Sequence, residues 1–203
     1  MHHATEPRRR TRLSPDARSR QLMDHAIAVF AQRGIGRAGH AEIAERAHVS
    51  VATVFNYYRS REELIDSVLG EVESFWFTLA REALGRGETA IDALRLLFDA
   101  TVDAVYEKGD YAQIALEWAA SVRDDLWPRH TQFCGRMLDL TRQTLQRGVE
   151  RGEFELRMSE RETLAVINSL YYPACQMIFR DPQPPREEIK AFMLNTSRLV
   201  LGL

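Results

Sequence analysis

The chain has 203 residues, room for one large or two small domains, and its 45% hydrophobic content is enough to fill a core. No apolar run approaches the roughly 20 residues that span a bilayer, and the Arg-rich start lacks the apolar stretch of a secretory signal. The formal charge of −2 hides a division: residues 1–61 hold 11 Arg and 5 acidic residues, net +6, and residues 62–203 hold 16 basic and 24 acidic residues, net −8.

In chain order, Pro7 to Arg12 (PRRRTR) is a basic arm without apolar periodicity. Ser14-Pro15 is a helix start, an N-cap residue followed by Pro at the first helical position, and Leu22, Ala26, Val29 and Phe30 recur on one face until Arg33-Gly34. His40 to Tyr58 reads as two short helices joined by a tight turn. Ser60-Arg61-Glu62-Glu63 is a capping box opening a long helix with Ile65, Val68, Val72, Phe75, Trp76 and Leu79 at 3–4 spacing, broken at Gly85-Arg86-Gly87. The next helix carries Ile91, Leu94, Phe98, Val102 and Val105 and closes at Lys108-Gly109. Shorter and longer helices follow over 111–123 and from Trp127-Pro128 to Arg151-Gly152. Ser159 to Glu162 is a second capping box, and its helix carries Leu164, Ile167, Tyr171, Ala174 and Ile178, with Pro173 expected to bend it. Asp181 to Pro185 forces a stiff turn before a last helix with Ile189, Met193, Thr196 and Val200. About nine helices and no strand are expected.

The short helix pair carries the chemistry. Ile43 and Ala47 face inward, Ala44 permits close approach, Val49 fills the turn, and the Ser50 hydroxyl caps the second helix. That helix is the right size for the major groove of B-DNA. Thr53 and Asn56 can reach phosphates or base edges, Val51 suits a thymine methyl group, and Tyr57 can donate to a phosphate oxygen. An Arg-rich arm beside such a helix can enter the neighbouring minor groove. A basic head on an acidic body fits a chain that meets phosphates at one end.

These residues resemble the TetR family of transcriptional regulators. The family pattern stands here as Ile43-Ala44, Ala47-His48-Val49-Ser50, Thr53, Phe55-Asn56-Tyr57-Tyr58 and Arg61-Glu62-Glu63-Leu64. The text is closer still to the LuxR/HapR group of quorum-sensing master regulators of vibrios, over residues 10–15, 33–45, 49–58, 61–69 and 117–128. The resemblance implies an all-α fold of about nine helices. A three-helix helix-turn-helix DNA-binding domain with its arm would occupy 1–61, and a helical regulatory and dimerisation domain 62–203. It implies a cytoplasmic regulator, found at the nucleoid when bound, that grips a palindromic double-stranded DNA operator as a homodimer and acts as repressor, activator or both. The expected DNA contacts are Arg9, Arg10, Arg12, His40, Ser50, Val51, Thr53, Phe55, Asn56, Tyr57 and Arg61. Three departures stand out. His48 replaces the usual turn Gly, and His tolerates positive φ. Gly39-His40 replaces a Thr. Phe55 replaces a phosphate-binding Tyr, leaving Tyr57 to supply that hydroxyl.

The resemblance also implies a dimer through the last two helices, 160–180 and 186–201, forming a four-helix bundle, with Leu164, Ile167, Tyr171, Ala174, Ile178, Ile189, Met193, Thr196 and Val200 as the candidate interface. Phe75, Trp76, Leu79, Trp118, Trp127, Phe133, Met137 and Tyr171 are candidates to line a pocket for a small apolar effector, against the plainer reading of core packing. The alternative to a quorum-sensing regulator is a ligand-responsive repressor of a local efflux or metabolic operon. No cofactor, metal site or membrane partner is expected. Cys134 and Cys175 make neither a disulfide framework nor metal spacing. An enzyme is disfavoured: no paired carboxylates, nucleophile elbow or phosphate loop appears, and Glu117 beside Trp118 has no partner acid or base in the sequence.

Overall fold

The structure is a computed structural model and describes residues 13–122 and 125–203. Among these residues there is no strand, and no helix is long and apolar enough to cross a membrane. The basic arm, with Arg9, Arg10 and Arg12, lies outside the described residues.

Helix α1 (Pro15–Arg33) starts where Ser14 accepts the Ala17 N–H and ends at Gly34, whose φ of 84° suits a residue without Cβ. Helices α2 (His40–Arg46) and α3 (Val51–Tyr57) form the expected short pair. Helix α4 (Arg61–Arg86) has 26 residues and stops at Gly87. Its capping box is only half formed: Ser60 accepts the Glu63 N–H at 3.1 Å, but the Glu63 carboxylate takes the Arg59 N–H at 2.8 Å. Helix α5 (Ala90–Glu107) and helix α6 (Gly109–Ala120) follow, α6 beginning two residues before the expected Tyr111. Helix α7 (Trp127–Glu150) carries Pro128 in its first turn.

The second capping box, Ser159 with Glu162, is complete and opens α8 (Glu160–Ser169). The expected bend at Pro173 is a full interruption, and α9 (Tyr171–Ile178) begins after Leu170. Pro173 has no N–H and falls in the first turn of α9, where that donor would lack an intrahelical acceptor. Counting α8 and α9 as one broken rod gives the nine expected; α10 (Arg186–Leu201) completes the chain and ends at Gly202 in the left-handed region.

The packing has one continuous apolar core running from Leu22 to Leu201. Helix α5 lies at its centre, with α4 on one side and α10 on the other; α1 lies along α6, and α7 joins α4 to α8. Ion pairs decorate these contacts: Glu73 of α4 meets Arg129 at 2.5 Å and Arg136 at 2.7 Å from α7, and Asp103 of α5 meets Arg186 and Lys190 of α10, each at 3.1 Å. Partly exposed pairs are worth only about 0–1 kcal/mol each, whereas fully burying one large aliphatic side chain contributes about 1.5–3 kcal/mol, so the core decides.

The dimer stripe expected from periodicity is corrected by this core. Leu164, Ile167, Ala174, Ile178, Ile189 and Met193 are buried within the single chain and cannot meet a second copy. Tyr171, Thr196 and Val200 are half-buried, and the Thr196 hydroxyl is spent on the Phe192 carbonyl. The strongest apolar periodicity marks the face that packs at home; the outer face of α10 carries Leu199, 73% exposed.

Gly148 shows how close α7 comes to its neighbours. A Cβ there would stand 2.6 Å from Phe154 Cζ and 2.7 Å from Ala90 Cβ, whereas one on Gly135 of the same helix meets nothing within 4 Å. Gly148→Ala is expected to lower stability by about 1–3 kcal/mol, and Gly135→Ala to raise it by about 0.5–1 kcal/mol. Urea unfolding of the two variants tests this; equal midpoints would contradict the close approach.

Candidate nucleic-acid interface

Four residues separate α2 from α3, and they turn on His48. Its φ of 53° places it in the left-handed region, as expected for the residue standing in for glycine. The turn is held by the His48 N–H on the Glu45 carbonyl at 3.1 Å and the Val49 N–H on the Ala44 carbonyl at 3.0 Å. Ser50 then caps α3, its hydroxyl accepting the Thr53 N–H at 3.1 Å.

Helix α3 buries Val54 completely, and Tyr58 just after it, and turns the opposite face to solvent. Val51 is 42% exposed and Phe55 45%, one helical turn apart on that open face. Ala52 and Asn56 are also exposed, and the Asn56 carboxamide has no hydrogen-bond partner among the described residues. Arg59, just past the helix, is also exposed and was not among the expected contacts, nor was Ala52. Helical spacing from Asn56 could have found Ala52.

Several expected contacts turn out to be spoken for. The Thr53 hydroxyl is half-buried and bonded to the Ser50 hydroxyl at 2.8 Å. Tyr57 directs its hydroxyl at the Pro15 carbonyl, a long contact of 3.4 Å to the first turn of α1. His40 is buried, its Nε2 lies 2.7 Å from the Tyr58 carbonyl, and Phe55 stacks flat on its ring at 4.1 Å between centroids and 7° between planes. His40 is therefore a strut beneath Phe55, placed there because the short α2 has to lean on α3. Arg61 gives its Nη2 to the Ile35 carbonyl at 2.8 Å, which ties the start of α4 to the loop after α1.

That loop holds an interaction the sequence did not reveal. The Ile35 N–H donates to both oxygens of Glu117, at 2.9 and 3.0 Å, across 82 residues. Glu117 sits so close to Gly34 that a Cβ there would meet its Oε1 at 2.9 Å. The carboxylate with no evident partner is thus a bracket between α6 and the base of the short helix pair. With Arg61 on its carbonyl and Glu117 on its amide, Ile35 is held from both sides.

A cavity of about 310 Å³ lies in the body. Of the expected residues, Trp76, Leu79, Trp118, Phe133, Met137 and Tyr171 line it. Phe75 and Trp127 do not. Phe75 packs edge-on against Trp76 and beside Tyr111, and Trp127, 43% exposed, stacks on the outside of His130. Thr101, His130, Cys134 and Asn168 supply polar atoms to the wall. Burial pulls the His130 ring below its ordinary value and pushes the Cys134 thiol up, so both are uncharged around neutrality. The two cysteines are unpaired, and no group of His, Cys, Asp and Glu among the described residues could hold a metal ion.

Residues 22–68 match the family described as bacterial regulatory proteins, tetR family. The chain is 39% identical to the HTH-type transcriptional regulator LuxR of Vibrio harveyi, over 93% of this chain and 89% of that protein. It is 24% identical to the HTH-type transcriptional repressor KstR2 of Mycobacterium tuberculosis, over 68% of this chain and 70% of that one. Among solved structures, the transcriptional regulator FadR of Bacillus subtilis in complex with stearoyl-CoA superposes with a TM-score of 0.77 at 19% identity, over 91% of this chain and 98% of that chain.

Removing the bracket has a defined expected effect. Glu117→Ala should destabilise the chain by about 1 kcal/mol, the value of a charge-assisted hydrogen bond discounted for exposure. It should also sharply speed hydrogen exchange at the Ile35 amide, with Glu117→Gln in between. Unchanged protection at Ile35 would show the bracket to be idle in solution.

Proposed function

Because the chain belongs to the TetR family of bacterial transcriptional regulators, we propose that it binds a palindromic operator in double-stranded DNA as a homodimer, with α3 in the major groove of each half-site. The observation that carries this is the outward face of α3: Val51, Ala52, Phe55 and Asn56 are exposed on a helix whose buried residue is Val54. Val51 and Phe55 offer apolar contact to thymine methyl groups, and the unspent Asn56 carboxamide offers a bidentate pair to an adenine edge. The arm residues Arg9, Arg10 and Arg12 reach the flanking minor groove, and Arg59 the backbone. Thr53 and Tyr57 keep part of their hydrogen-bonding capacity for phosphate oxygens, and Ser50 sets the start of α3. His40 and Arg61 act indirectly, by fixing Phe55 and the loop at Ile35.

A single α3 reads only a few base pairs, so selectivity requires two, about 34–36 Å apart. The second copy docks on the outer faces of α8 and α10, where Leu199 stands free and Ala165 is exposed. In this reading residues 1–61 are the DNA-binding unit and 62–203 the regulatory and dimerisation unit, within a cytoplasmic protein. The extent of the likeness to the vibrio protein supports a regulator of the quorum-sensing type, acting as repressor, activator or both. The cavity supports a responsiveness to a small apolar effector, the feature shared with the alternative of a local ligand-controlled repressor.

Selection of bound sites from a random duplex pool tests the reading and returns a palindrome if it holds; a pool without enrichment overturns it. On the selected site, Asn56→Ala should lose about 1–3 kcal/mol of specific binding while leaving binding to random duplex unchanged. Replacing Arg10 and Arg12 by Ala should flatten the slope of log affinity against log salt by about 0.9 for each phosphate that is no longer neutralised. Leu199→Glu should leave the chain folded, shift it to monomer in analytical ultracentrifugation, and bind a half-site as well as the full site.

A further inference from the structure

Helix α3 carries no charge. Its seven residues, VATVFNY, include no Arg, Lys, Asp or Glu. The commonest base-specific contact, a bidentate Arg or Lys on guanine, is therefore not available from this helix, and neither is a carboxylate for the cytosine amino group. The Thr53 hydroxyl is bonded to that of Ser50, and the Tyr57 hydroxyl leans on the Pro15 carbonyl. The exposed face is left with Val51, Ala52, Phe55 and the single amide of Asn56. Phe55 is exposed yet fixed: its ring lies flat on that of the buried His40, whose Nε2 is 2.7 Å from the Tyr58 carbonyl. Val51 stands four residues earlier on the same face, and its branched side chain is stiff at χ1. Two apolar groups are thus held in place on a head with 11 Arg against 5 acidic residues, whose charge draws it to phosphates.

In the major groove the four bases display one apolar group, the C5-methyl of thymine, which cytosine lacks. A fixed apolar side chain gains by covering that methyl and forms no hydrogen bond with the oxygen or amino group beside it. We propose that α3 selects its half-site through pyrimidine C5-methyl groups, with Phe55 and Val51 as the residues that decide. On this basis 5-methylcytosine is accepted in place of thymine, while uracil and unmodified cytosine are disfavoured. The proposal rests on the operator reading above and adds to it the chemical group that is read. It makes cytosine C5-methylation of the duplex an input to binding at positions that face Phe55 or Val51. Burying one carbon group changes affinity by about fourfold, at about 0.8 kcal/mol. Two such contacts in each half-site of a two-fold complex amount to a change on the order of a hundredfold.

Selection by the full chain from two random duplex pools tests it, one pool containing thymine and the other uracil in its place. Uracil keeps the base pairing, the major-groove O4 and the whole minor-groove edge, so only the methyl is removed and the arm meets the same surface. The thymine pool is expected to yield a palindrome that the uracil pool does not enrich. On that palindrome, uracil at every half-site thymine should weaken binding by at least about tenfold with the salt slope unchanged. At the positions most sensitive to uracil, 5-methylcytosine should bind at least about threefold more tightly than cytosine, both paired with guanine. The double variant Val51→Ala, Phe55→Ala should bring the thymine-to-uracil affinity ratio close to one, whereas Asn56→Ala should weaken both duplexes and keep the ratio. Equal enrichment from the two pools, or 5-methylcytosine binding no better than cytosine, would overturn the proposal and leave the regulator reading standing. So would a ratio that persists in the double variant, which would place the methyl effect in the stiffness of the duplex. A palindrome from neither pool sinks the regulator reading and the proposal with it. Should the double variant fail to fold by circular dichroism, the comparison of 5-methylcytosine with cytosine in the unaltered protein decides.

Discussion

The structure turns on one residue held at every handle it has. The Ile35 side chain is buried, its N–H is gripped by Glu117 from α6, and its carbonyl by Arg61 at the start of α4. The loop it occupies is the only covalent route from α1 to the short pair α2–α3. Whatever fixes Ile35 therefore fixes the base from which α3 projects. Gly34 makes the grip geometrically feasible, since a side chain there would occupy the place of the Glu117 carboxylate. The same bracket spans the boundary between the basic head and the acidic body, two regions of opposite charge that share one core.

Helix α6 carries both ends of the connection. Glu117 holds Ile35, and the next residue, Trp118, forms part of the cavity wall and stacks near His130 and Phe133. A molecule bound in the proposed effector cavity would touch the same helix that supports the α2–α3 base.

Much of this was legible in the sequence because it is local. Helix ends followed from Ser14-Pro15, Ser60, Ser159 and the glycines, and the left-handed turn at His48 from its standing where the family it resembles has Gly. Val51, Phe55 and Asn56 of the outward face of α3 were legible, whereas Ala52 was missed and Thr53 and Tyr57 proved half-buried. What was illegible depends on tertiary contact. Glu117 looked partnerless because its partner is a backbone amide 82 residues away, and no side-chain pattern announces that. Leu164, Ile189 and their stripe looked like an interface because periodicity reports burial without saying by which chain. Phe75 and Trp127 looked like cavity residues because aromatic spacing does not distinguish a cavity wall from the packing behind it. His40 and Arg61 sat in the right segment, but their side chains are engaged inside the head.

Helix α4 joins the head to the cavity. It is a single rod whose first residue, Arg61, is fastened to the head, and whose later turns place Trp76, Leu79 and Ala80 on the cavity. About fifteen residues separate Arg61 from Trp76, about 22 Å of helix at 1.5 Å per residue. Pivoting by about 3° at the cavity would carry the rod's other end sideways by about 1 Å over that length. In the two-fold pair proposed above the ends would move in opposite senses, so the spacing of the two α3 helices would change by about twice that, against a duplex whose half-sites are fixed by its own pitch at about 34 Å.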